Sequence, residues 1–154
     1  LSFELSIGIQ RVFVNSGTSE YSSSLVRHNQ RKTRVHNTVE VDGKDSSQVW
    51  GSFRVANRAK IVSRHAEQNY DHGIVLQAAH NGYKSLLGGC IHARKLILRE
   101  DSLAVSDVLQ GTYRYATSHF YFHPLHFSHT LTYTVTTRLQ AMDCRLGLSL
   151  LLRG

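Results

Sequence analysis

The sequence predicts an all-β domain built as an antiparallel β-sandwich. Three observations predict it: a strict two-residue alternation at the start, short apolar runs parted by turn residues at meander spacing, and no sustained helical or heptad period. No internal repeat or low-complexity tract competes with that reading.

From Leu1 to Ile9 the odd positions carry Leu, Phe, Leu, Ile and Ile against Ser, Glu, Ser and Gly, which fits a half-buried strand already under way at the first residue. Gln10-Arg11 reads as a reversal into Val12-Phe13-Val14, and Asn15-Ser16-Gly17-Thr18 supplies turn chemistry after it. Residues 19–34 are polar, Ser-rich and basic without period, so an ordered surface loop running over the sheet edge is expected. Thr38 to Val41 is a short strand stopped by Asp42-Gly43, and Val49 to Ala59 is extended, mixing Trp50, Phe53 and Val55 with arginine.

Asp71-His72-Gly73 punctuates the next pair. Ile74–Ala79, Ile91–Leu98 and Leu103–Leu109 read as strands, parted by Asn81-Gly82, Gly88-Gly89 and Arg99-Glu100-Asp101-Ser102. Thr112–Phe122 continues the series, with Ala116, Phe120 and Phe122 toward a core and Tyr113, Tyr115, His119 and Tyr121 on a polar face turned to water or a neighbouring domain. After Pro124, the single proline, Leu131, Tyr133 and Val135 alternate with threonine as one more strand. Beyond Arg138 the pattern is lost, although Leu139, Met142 and Leu146 stand at helix-like spacing.

At 154 residues, 41% of them hydrophobic, the chain supports one ordinary core. No apolar run reaches the length of a membrane-spanning helix. Two cysteines, Cys90 and Cys144, exclude a disulfide framework. A net charge of +7, from 18 Lys and Arg against 11 Asp and Glu, favours polyanionic partners, of which nucleic acid and acidic polysaccharide both qualify. Nucleic acid ranks well behind, because neither a recognition motif nor an aromatic-basic RNA platform is present.

Arg27, Arg31, Lys32 and Arg34 form the densest positive patch, and arginine forks suit carboxylate or sulfate held at two points. The plainer reading of each is a solvated loop charge that keeps an edge from pairing. Arg54 behind Trp50 and Phe53 offers a sugar-stacking edge, with Trp50 more ordinarily a core residue; Tyr21 is a weaker candidate of the same kind. Ten histidines raise metal or acid–base chemistry. His119, Tyr121 and His123 share one strand face, but no third ligand accompanies them.

The most specific text is Asn15-Ser16-Gly17-Thr18-Ser19-Glu20-Tyr21, then Arg31-Lys32-Thr33-Arg34-Val35-His36-Asn37-Thr38-Val39-Glu40-Val41-Asp42-Gly43, then Gln48-Val49-Trp50-Gly51-Ser52-Phe53-Arg54. Later pieces are His80-Asn81-Gly82-Tyr83, His92-Ala93-Arg94, Val105-Ser106-Asp107-Val108 and Phe120-Tyr121-Phe122-His123-Pro124. In order and spacing this string resembles the C-terminal sheet domain of heparinase II/III-like polysaccharide lyases over residues 1–124, with 125–154 a divergent continuation of the same domain.

The resemblance implies a β-sandwich that packs, in its parent protein, against an N-terminal (α/α) toroid, the two enclosing a cleft for acidic polysaccharide. It implies β-elimination on uronate-containing chains, a periplasmic or secreted location, and a Gly-His-x-His-x-Asp run just ahead of Leu1. Without toroid and run, the 154-residue piece is expected to be inactive alone, with no catalytic residue of its own. Arg31, Arg34, Asn37, Arg54 and Tyr21 are the expected substrate contacts. A structural zinc is implied at the His of that run, at position 15 and at His36, but Asn15 stands where the family pattern has Asp. The alternative is a non-catalytic or degenerate glycan-binding module.

Overall fold

The computed structural model describes residues 1–50, 52–69, 73–86, 88–124, 134–140 and 145–152, with residue 69 and the last two stretches in backbone only. It contains β1 (Leu5–Ile7), β2 (Gln10–Phe13), α1 (Leu25–Gln30), β3 (Val39–Val41), β4 (Val49–Trp50), β5 (Arg54–Val55), β6 (Ile61–Asn69), β7 (Gly73–Tyr83), β8 (Cys90–Leu98), β9 (Leu103–Gly111), β10 (Tyr115–Phe122), β11 (Thr134–Gln140) and β12 (Arg145–Leu152).

Two five-stranded sheets carry the fold, one ordered β1-β2-β10-β12 with β3 also on β10, the other β11-β9-β8-β7-β6. β4 and β5 form a separate small hairpin. The described ladders are antiparallel except that β11 runs parallel to β9 and β12 parallel to β10. Two apolar clusters join the sheets face to face. One sets Val39, Val41 and Ala116 against Tyr83, Cys90 and Leu109; the other sets Val12, Phe13, Phe120 and Phe122 against Val105. That is the expected sandwich, with its core between the sheets.

The first hairpin turns two residues earlier than its sequence implies. Ile7 pairs with Gln10, so Gly8-Ile9 forms the turn and Ile9 projects into solvent. A two-residue turn with positive φ at Gly8 matches strand twist, which Gln10-Arg11 would not. Asp42-Gly43 does stop β3: both residues have positive φ, Lys44 N–H returns to the Val41 carbonyl at 2.9 Å, and the Asp42 carboxylate accepts the Arg114 and Tyr115 N–H groups.

Other expectations need correcting. Asn81-Gly82 is not a turn but an irregularity inside β7, where the pairing with β8 shifts between His80 and Tyr83. Gly82 is required there because a Cβ would lie 2.4 Å from the Ser46 carbonyl oxygen. β6 was hidden by its composition: its residues 61–68 are exposed, as suits an edge strand with little apolar alternation. Within residues 19–34, α1 replaces part of the expected loop.

The supposed polar face of β10 is mostly covered. Tyr113, His119 and Tyr121 are buried, and only Tyr115 is exposed. The Tyr121 hydroxyl donates to the Arg34 carbonyl, so the turn at Thr33–Val35 lies across this face, and His119 stacks on Tyr121 with its Nε2 3.5 Å from Glu40. Leu139 and Leu146, at helix-like spacing, fall in β11 and β12; Leu131, Tyr133 and Met142 lie outside the described residues.

Candidate functional site

Chain geometry between β2 and β5 gathers the basic segment onto one groove. Ser24 starts α1, its hydroxyl accepting the Arg27 N–H at 3.0 Å while its own N–H goes to Ser52 Oγ at 3.1 Å. The cap thus ties α1 to the β4–β5 hairpin. Arg27 and Arg31 are four residues apart, one helical turn, so both face the same way. With Asn15, Thr18, Gln30 and His36 they line a groove of about 430 Å³.

Each arginine is held by the frame. Arg27 Nη1 donates to Thr18 Oγ1 at 2.9 Å, and its guanidinium lies 5.5 Å from the Tyr21 ring centre. Arg31 Nη1 reaches the Arg54 carbonyl at 3.5 Å, and the Arg54 guanidinium lies over the Trp50 ring at 4.9 Å. Trp50 is 54% exposed and Tyr21 78%. The core placement for Trp50 is therefore wrong: it stands on a separate two-stranded hairpin with more than half its surface open. His36 Nδ1 donates to the Lys32 carbonyl at 2.8 Å, which leaves the ring lone pair on Nε2.

Of the expected substrate contacts, Arg31 lines the groove, Tyr21 stands at its rim, and Arg54 sits on the adjoining hairpin. Arg34 is exposed but does not line the groove. Asn37 is fully buried. Its amide donates to the Phe3 and Val14 carbonyls at 3.0 Å each and accepts the Tyr121 N–H at 2.6 Å. With every polar atom of its side chain committed to backbone, Asn37 belongs to the frame beside the groove and has no face for a ligand.

A second constellation escaped the sequence reading. His80, His92, Arg94 and Asp107 are each no more than 3% exposed and form a polar layer on the inward face of the β11-β9-β8-β7-β6 sheet, between the two apolar clusters. Gly82 N–H donates to His80 Nδ1 at 3.0 Å, so the His80 proton lies on Nε2 and points to His92 Nδ1 at 3.2 Å. His92 Nε2 then donates to Asp107 at 2.7 Å. Arg94 grips both Asp107 oxygens, at 2.7 and 2.8 Å, and sends Nη1 to the Leu1 and Asn37 carbonyls.

Burial lowers His80 to about 3, with the His92 and Arg94 charges adding to it. It also lowers His92, against the pull of Asp107. Burial would raise Asp107, but hydrogen bonds from His92 and Arg94 outweigh it and bring the carboxyl to about 2. Neutral rings beside a neutralised carboxylate make a closed framework. The legible signal was His92 and Arg94 sharing the strand parity of Cys90 and Leu96, with Asp107 on that of Val105 and Leu109.

The family described as Heparinase II/III-like, C-terminal, matches residues 1–147. The chain belongs to that family. No curated protein and no solved structure matches it significantly. The family match passes Pro124 and takes in most of the tail that the quoted motifs did not reach.

The zinc that the family resemblance implies can be tested on the donors present in this heparinase II/III-like domain. His36, with its lone pair on Nε2, fits a ligand. Asn15 does not. Its Oδ1 accepts the Asn37 N–H at 2.9 Å, and its Nδ2 faces Glu4 Oε1 at 3.2 Å and the Phe3 carbonyl at 3.4 Å. Among the described residues no three His, Cys, Asp or Glu side chains converge as a metal set.

Proposed function

We propose that this heparinase II/III-like domain forms the acidic-glycan-binding wall of a polysaccharide lyase that cleaves uronate-containing chains by β-elimination. The observation that carries the reading is the convergence of Arg27, Arg31 and His36 on one groove beside the Arg54–Trp50 stack. Elimination requires a base for the proton beside the uronate carboxylate, an acid for the leaving oxygen, and cationic groups that neutralise the carboxylate as the carbanion develops. Arg27 and Arg31 suit the last task, since each presents a planar fork to a carboxylate or sulfate. The exposed Trp50 face suits the apolar side of a pyranose ring.

Base and acid are left to a helical toroid packed across the groove, and the 154-residue domain binds glycan without cleaving it. A periplasmic or secreted setting accords with such a substrate. The test is unsaturated-uronate absorbance with the full-length protein on heparan sulfate, alginate and related glycans, together with affinity for the same glycans. Arg27→Ala and Arg31→Ala are each expected to weaken binding about tenfold, the worth of one charge-assisted contact. Undiminished affinity in both variants would remove the groove from the reading.

Asn15, standing where the family pattern has Asp, favours a second reading as a non-catalytic glycan-binding module. Tight glycan binding by the full-length protein with no unsaturated product would select it. Equal binding of DNA and of sulfated glycan across salt concentrations would overturn both readings.

A further inference from the structure

We infer that Asn15 is a metal-independent clasp, an amide that links three chain segments directly at the place where the family resemblance puts a zinc ligand. Nδ2 of Asn15 faces two acceptors, Glu4 Oε1 at 3.2 Å and the Phe3 carbonyl at 3.4 Å, while Oδ1 faces one donor, the Asn37 N–H at 2.9 Å. An amide is the side chain that matches two acceptors and a donor at once; a carboxylate would present oxygen to oxygen on two sides. The residue thus ties the stretch before β1 to the end of β2 and to the segment after His36.

Local charge leads to the same conclusion. Glu4 already supplies a carboxylate beside position 15, and Arg11 balances it at 2.8 Å. A neutral amide therefore completes a balanced set, whereas Asp at position 15 would add a second negative charge that needs a cation. Glu4 and Asn15 are matched to each other, and their pairing makes a metal unnecessary.

The inference is tested on the protein by metal analysis and thermal unfolding, neither of which depends on lyase activity. Wild-type protein is expected to retain no stoichiometric zinc on the domain and to unfold at the same temperature in EDTA and in added Zn²⁺. Asn15→Asp is expected to lower the midpoint in EDTA by several degrees. Glu4→Gln in the Asn15→Asp background is expected to restore most of that loss, because the amide introduced at position 4 can donate to the new carboxylate; this double variant also serves if the single one fails to fold. Stoichiometric zinc in the wild type with a midpoint lowered by EDTA would overturn the proposal. So would an Asn15→Asp variant as stable as wild type in EDTA, or a double variant with no recovery. Loss of glycan binding in Arg27→Ala leaves these readouts untouched, so the two readings fail separately.

Discussion

Asn37 shows how much one side chain can hold. Three backbone groups depend on its amide, and its own carbonyl and N–H are taken by Arg94 and Asn15. Asn37→Ala leaves the Val14 carbonyl and the Tyr121 N–H without their partner in a buried site and leaves the Phe3 carbonyl with only the longer Asn15 contact, which should cost about 3 kcal/mol. Urea denaturation followed by tryptophan fluorescence, with Trp50 as reporter, measures it; a loss below about 1 kcal/mol would mean that the site rearranges or hydrates. The motif containing Asn37 was legible in the sequence, but its role was not. An asparagine beside a histidine in a basic stretch looks the same whether it meets a ligand or backbone, and only the packing of β2 and β10 over it decides.

At the scale of elements, the polar layer of β7, β8 and β9 makes stability depend on pH. Above about pH 6.5 folded and unfolded chains both hold His80 and His92 neutral, and these rings add no slope. Below it the unfolded chain takes up protons that the folded rings refuse, so stability falls, by about 1.4 kcal/mol per pH unit for His80, with His92 adding in the same direction. For His80 this continues to about pH 3, and Asp107, held near 2 against an ordinary 3.8, adds further loss at the acid end. Urea midpoints at pH 5 should lie well below those at pH 7, and His80→Asn should flatten the slope. A wild-type midpoint independent of pH over that range would show that the rings are protonated in the folded state.

The Arg94–Asp107 pair gives a sharper test of the same layer. Asp107→Asn leaves a buried guanidinium uncompensated and should cost about 3–5 kcal/mol, whereas Arg94→Met with Asp107→Leu should cost markedly less than the two single changes summed. Additive costs in that double-mutant cycle would contradict a coupled pair. Helix α1 is held more lightly: Ser24→Ala should cost about 1 kcal/mol and weaken glycan binding through displaced Arg27. These elements divide by legibility. β8 and β9 were readable as short runs parted by turn residues, but β6 was not, because an edge strand exposed over residues 61–68 has no core-facing pattern. α1 was hidden because its six residues form too short a run to reveal a period.

For the whole molecule, the sandwich itself was the most legible feature, since strand spacing and turn residues determine it without long-range detail. The groove was legible in part. Its arginines stood out as a charged run, but their partners come from Thr18 and Tyr21 in the stretch after β2, the Ser24 cap and a detached hairpin, and no local pattern announces those meetings. The positive surplus predicts a distinctive ionic response. Retention on a sulfated-glycan matrix should fall with salt, and Arg27→Ala with Arg31→Ala should elute earlier and with a shallower salt dependence than wild type. Identical elution would indicate diffuse charge in place of a localised groove.

The guanidinium of Arg94 also joins parts of the chain that are far apart in order: its contact with the Leu1 carbonyl spans 93 positions, and that with Asn37 spans 57. Such closures come late, because the fork is aimed only after Asp107 has gripped it and the meander around β8 already exists. Refolding chains should therefore recover strand signal in the far ultraviolet before the amide of Tyr121, which rests on Asn37, gains protection from hydrogen exchange.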